Sequence, residues 1–148
     1  MIHALNLTLP LKQDEASQKK LEHIAAIFAD QIQPKIDEAL RVSEHVFFAR
    51  VLVIDNKYIQ VITEFDNDPK AYSDFFLEKL PDVFEVIFSL AEGVPSWEEI
   101  KDPNTFDEIA KKNNRKSLGK KDDEPDAGYL FSAFGTKTVK DIKVALNK

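Results

Sequence analysis

The chain has 148 residues, a formal net charge of −6 and no cysteine. That length fits one domain of ordinary size, able to bury roughly 70% of its unfolded surface without a disulfide or a metal. The missing thiols exclude disulfides, Cys-ligated zinc, iron–sulfur clusters and cysteine nucleophiles, and the acidic balance makes nucleic acid a poor partner.

Ile2, Ala4, Leu5, Leu7 and Leu9 make a strand-like run stopped by Pro10. The opening residues carry no basic leader, and no apolar run reaches the roughly 20 residues that span a bilayer, which predicts a cytoplasmic protein without membrane contact. A helix follows, capped by Asp14 or Ser17, with Leu21, Ile24, Ala25, Phe28 and Ile32 at helical spacing. Pro34 should kink or end it, and the stripe resumes at Ile36, Ala39 and Leu40.

Residues 46–54 and 58–65 are dense in β-branched and aromatic side chains, and Asp55-Asn56-Lys57 between them is a hairpin-length turn. The next helix opens with Asp68 as cap and Pro69 at its first position. Tyr72, Phe75, Phe76, Leu80, Phe84, Ile87 and Phe88 form its wide apolar face, Pro81 should bend or divide it, and Gly93 suits its C′ position. Ser96 to Glu99 has capping-box spacing and predicts a short helix, and residues 104–113 predict another with Phe106 and Ile109 facing inward.

Residues 113–126 read as a charged, mobile loop, whose acidic Asp122, Asp123, Glu124 and Asp126 cancel most of the field of the basic residues Lys111, Lys112, Arg115, Lys116, Lys120 and Lys121 in and just before it. Residues 127–134 read as a last strand, broken by Gly135, and Thr138 caps a final helix carrying Val139, Ile142, Ala145 and Leu146.

The order predicts one α+β domain over residues 1–148, of the ferredoxin-like β-α-β-β-α-β kind, with helices on one face of a four-stranded antiparallel sheet. The second strand is largely apolar on both alternating sets, Phe48, Arg50, Leu52 and Ile54 against Phe47, Ala49, Val51 and Val53. A strand apolar on both sides is buried on both sides. Helices cover one face, so a homodimer through the sheet is expected to cover the other.

Phe47-Phe48-Ala49-Arg50, then Phe65-Asp66-Asn67-Asp68, Tyr72, and the closing Gly128-Tyr129-Leu130-Phe131 up to Gly135 resemble a functionally uncharacterised group of ferredoxin-like proteins. That group usually has His-Phe-Ala-Arg on one strand and an aromatic-Asp-Gly after the next. Phe47 stands where the group has His, and Asn67 where it has Gly, so chemistry resting on that His is absent here. The arrangement is also similar to the dimeric α+β-barrel superfamily. That resemblance implies a paired barrel and spans cofactor-free monooxygenases, dye-decolourising haem peroxidases and ligand-sensing modules.

Arg50 lies mid-strand among apolar neighbours, and a buried guanidinium needs a partner. Either it holds an anionic or carboxylate ligand in a barrel mouth, or it forms a salt bridge within the chain or across a dimer, for instance with Asp66. A two-residue hairpin turn puts Thr63 on its side of the sheet; a three-residue loop puts Glu64 there. His45, just before the second strand, is the candidate base, and Tyr72 the candidate hydrogen-bond donor. Either of these also has an ordinary structural reading, as a capping histidine and a core tyrosine.

Asp66-Asn67-Asp68-Pro69 lacks the Gly and distal Glu of a calcium loop, and His3, His23 and His45 have no metal-ligand spacing. No histidine follows His45 to hold a haem, and there is no phosphate loop or nucleophile elbow. No metal and no cofactor are expected. Two functions stay open: a ligand-binding or structural homodimer taking a small apolar or anionic ligand, or a cofactor-independent monooxygenase-like enzyme acting on an apolar aromatic substrate. In the second, His45 and Tyr72 are catalytic, and Arg50 and Asp66 bind the ligand.

Overall fold

A computed structural model describes residues 2–66, 69–120 and 128–147. Strands β1 (Ile2–Pro10), β2 (Val46–Ile54) and β3 (Tyr58–Asp66) form an antiparallel sheet in the order β1-β3-β2. Because β3 is antiparallel to both neighbours, β1 and β2 run the same way with β3 inserted between them. The first strand therefore cannot join the second by a hairpin, and the connection is helical. It consists of α1 (Glu15–Ile27), one π-helical turn (Phe28–Ile32) and α2 (Gln33–Val42).

Leu5, Leu7 and Leu9 stand opposite Thr63, Val61 and Ile59, and all six are buried. Directly opposite residues point to the same side, so this is the inner face. Leu7 and Leu9 are 0% exposed, and full burial of such a side chain stabilises the fold by about 1.5–3 kcal/mol. Onto it packs the helical layer of α3 (Pro69–Lys79), α4 (Pro81–Ser89), α5 (Trp97–Ile100) and α6 (Pro103–Lys112). Its phenylalanines interlock: Phe76 lies 4.9 Å from Phe84, and Phe84 5.3 Å from Phe106, by ring centroids.

The local signals act mostly as expected. Asp14 caps α1, accepting from the Ser17 N–H at 3.0 Å. Asp55 and Asn56 both take positive φ, 52° and 55°, a conformation their side chains tolerate, and the Lys57 N–H closes the turn on the Ile54 carbonyl at 2.9 Å. Pro81 divides α3 from α4. Thr138 and Asp141 form a reciprocal capping box at the start of α7 (Val139–Leu146). Asp68, the expected cap of α3, lies outside the described residues.

Several expectations are corrected. Of the kink or end expected at Pro34, the helix does not end: it is interrupted just before Pro34 and continues as α2. The π turn just before it, closed by the Gln33 N–H on the Phe28 carbonyl, widens the helix where Pro34 lacks an N–H and its ring would crowd the preceding turn. Gly93 is not the C′ residue of α4. Leu90 caps that helix with its own N–H on Ile87 and Phe88, and Gly93 (φ +74°) turns the chain further on. Ser96 makes no side-chain cap bond, so the capping box predicted there does not form. Of the apolar residues on α7, Val139 is buried but Leu146 is exposed. Lys143 instead tethers the helix by donating to the carbonyls of Arg41 and Ser43 at the end of α2, where a cation suits the helix dipole.

The largest correction concerns the fourth strand. Residues 128–134, expected to extend the sheet, form no strand; Ala127 lies outside the described residues. The open edge of β1 is met instead by the chain leaving α6. Thr8 N–H donates to the Asn113 carbonyl and Arg115 N–H to the Asn6 carbonyl, each at 2.9 Å. The Asn114 carboxamide oxygen accepts from the Asn6 N–H at 2.8 Å, standing in for a backbone carbonyl. These bonds tie down the first residues of the stretch expected as a charged loop. Gly128 then crosses Ser117 so closely that a Cβ there would lie 2.5 Å from the Ser117 carbonyl.

Candidate functional site

The outer face of the sheet is where the sequence and the structure disagree most usefully. Pairing of Ile54 with Tyr58 leaves a three-residue loop and sets Arg50 opposite Ile62. Arg50 and Glu64 are therefore diagonal neighbours on one face, the alternative that a three-residue loop entails. Phe48 stands opposite Glu64 on the same face, and Phe47 is the extra residue of a bulge between the Val46 and Phe48 pairs. Such a bulge re-aims its side chain and twists the strand.

The described residues cover this end of the face only in part. Phe48 is 68% exposed and Arg50 is exposed, so the single chain leaves the guanidinium at its surface. Among the described residues β2 is an edge strand, and the buried residues of α3, α4 and α6 pack in one core with the inner-face residues Leu7, Val61 and Ile59. The segment at 130–134 comes alongside, so that Phe47, Phe48, Glu64, Phe131 and Phe134 wall a cleft of about 260 Å³. Phe131 is 84% and Phe134 55% exposed, and Tyr129 packs edge-on against Phe131 at 4.8 Å.

Glu64 is half-buried in this setting. Loss of water raises its carboxyl above the ordinary carboxylate value, and the nearby Arg50 charge pulls it partly back. The face thus offers exposed aromatic rings, one cation and one partly desolvated anion.

The other sequence-derived candidates sit elsewhere. Tyr72 is buried on the inner side of the sheet. Its ring stacks on Phe65 at 4.0 Å and its hydroxyl bonds to Thr63 Oγ1. Burial first, and then the Glu64 charge, raise its phenol well above the ordinary value, while the Thr63 bond acts the other way. Tyr72 is thus a neutral core group with its polar end satisfied. His45 and Asp66 meet at the end of the sheet, Asp66 N–H donating to the His45 carbonyl at 2.7 Å. The His45 N–H is taken by Ser43 Oγ at 3.0 Å. Arg50 and Tyr72 lie on opposite faces of the sheet.

Sequence reasoning offers Glu64 beside Arg50 as one of two hairpin alternatives and misses Phe131 and Phe134 as members of the same site. The apolar character of 127–134 predicts a strand, and only the tertiary course of 130–134 shows it beside Phe48. Among the described residues, no group of three or more His, Asp or Glu side chains could hold a metal ion. Among them too, no helix is long and apolar enough to cross a membrane. No protein-family model matches the chain, no curated protein matches its sequence, and no solved structure matches its fold.

Proposed function

We propose that the chain is a non-catalytic module that works as a homodimer, paired through the outer face of its sheet. The observation that carries this is the exposed aromatic group of Phe48, Phe131 and Phe134 beside the Arg50–Glu64 pair. Large exposed apolar patches rimmed by charge mark interaction surfaces. A twofold interface presents the same patch twice, so it must be self-complementary. One cation and one anion side by side meet that condition, because each copy's Arg50 can face the other copy's Glu64. The strand order with β3 inserted between parallel β1 and β2 supports a ferredoxin-like fold, and face-to-face pairing of two such sheets would make a dimeric α+β barrel. A chain without cysteine suits a reducing compartment such as the cytoplasm.

The separation of Arg50 from Tyr72 by the sheet argues against the oxygenase-like alternative, which needs its polar groups to converge on one pocket. Sedimentation velocity tests the reading. The wild type should run as a dimer, and Phe48→Asp as a folded monomer. Arg50→Glu and Glu64→Arg should each weaken pairing, and the double charge swap should restore it. A wild type that stays monomeric at tens of micromolar would sink the proposal.

A further inference from the structure

On the inner side, the helical layer stops short of β2. Val51 and Val53 point inward, since their partners Val61 and Ile59 are buried at 4% and 5% exposure. Yet Val51 is only half-buried and Val53 is 39% exposed. The gap is a cavity of about 200 Å³ between the edge strand, the first helical run and α4. All of its lining residues are Ala, Val, Leu, Ile or Phe, so no side chain offers a hydrogen bond or a charge.

The π turn helps to shape this space. Phe28 and Ile32 begin and end the turn, and both line the cavity. π turns interrupt helices frequently at functional sites. Ala25, one helical turn earlier, lines the cavity while exposed to solvent, and so marks its mouth together with Val53.

We propose that this cavity binds a small hydrocarbon ligand, of the size of one aromatic ring with a short alkyl substituent. Its size and lining select that class. An apolar cavity of about 150 Å³ stays dry and takes up benzene, whereas drug-sized ligands need pockets of roughly 300 Å³ or more. A polar or charged group carried inside would lose its water and find no partner, so any such group on the ligand must stay at the mouth. The site lies on the opposite side of the sheet from the proposed pairing face and stands independently of it.

The test is a titration of the methyl-labelled protein with toluene, with benzoate as the charged isostere, followed by NMR. Toluene should cause saturable shifts at the methyls of Ile24, Val53, Ile59 and Ile87 and raise the thermal midpoint. Benzoate should bind about tenfold more weakly or worse. Ala25→Trp, at the exposed rim, should abolish the shifts while the protein stays folded; Val53→Trp plugs the mouth from the other wall should the first variant fail to fold. Shifts that grow linearly without saturation, that fall on other methyls, or that survive both plugs would overturn the proposal. So would methyl shifts at this cavity that depend on protein concentration without toluene, since a second copy would then fill it.

Discussion

Thr63 Oγ1 and the Tyr72 hydroxyl share a hydrogen bond beneath β3, with Thr63 0% and Tyr72 4% exposed. Each satisfies the other, so removing one leaves a buried polar group without a partner. Tyr72→Phe and Thr63→Val should each destabilise the fold by about 1–3 kcal/mol. The double variant should cost less than the two singles added, because it removes both polar groups together. Urea unfolding of the four proteins measures this, and strictly additive losses would show that the two hydroxyls act independently.

The same burial makes Tyr72 a source of alkaline instability. Its phenol is raised in the folded protein, chiefly by loss of water, so the unfolded chain loses the proton first. The stabilising contribution is whole below the unfolded value of about 10 and is lost as pH rises above it. Unfolding free energy should fall above that pH with up to about 1.4 kcal/mol per pH unit from this group. Tyr72→Phe should fall less steeply by one proton. Equal slopes in the two proteins would mean that the phenol reaches water in the folded state.

The inner face was legible in the sequence because local and tertiary forces agree there. Alternating Leu5, Leu7 and Leu9 can only be a one-sided strand, and Asp55-Asn56 has a backbone conformation few other pairs accept. The aromatic stripe from Tyr72 to Phe88 likewise had one use. The sheet edge was not legible. Residues 127–134 have strand composition, but the place beside β1 went to Asn113, Asn114 and Arg115, whose polar side chains give no strand signal. Two backbone bonds hold these residues there, and the Asn114 carboxamide adds a third by imitating a backbone acceptor. Arg50 was found from its apolar neighbours, but its exposure depends on what covers an edge strand, which lies beyond one chain's pattern.

That edge clamp gives a third expectation. Asn6 holds it from both sides, its N–H on Asn114 Oδ1 and its Nδ2 donating to the Arg115 carbonyl and to Ser117 Oγ, both at 2.9 Å. Asn114→Ala removes one acceptor from an exposed bond, which should cost about 0.5–1.5 kcal/mol. Its sharper sign is local: the Asn6 amide should exchange with solvent faster, while the Leu7 and Leu9 amides of the same strand keep their protection. Unchanged exchange at Asn6 would mean that water replaces the carboxamide without loss.

Glu64 connects titration to assembly. Its carboxyl is raised by burial in the cleft and lowered by Arg50. A raised folded value means that its favourable contribution is present below the unfolded value of about 4.3 and is lost as pH rises through the folded one. Above that range the monomer carries a partly desolvated anion, so Glu64→Gln should stabilise the monomer by a few tenths of a kcal/mol, a size limited by solvent screening. Arg50→Met should push the Glu64 midpoint higher still, as carboxyl-carbon NMR would record. Pairing should do the opposite, since a second Arg50 then faces the carboxylate. The Glu64 midpoint should therefore fall as protein concentration rises; a midpoint that stays constant while dimer accumulates would mean that the two copies meet without placing Arg50 against Glu64.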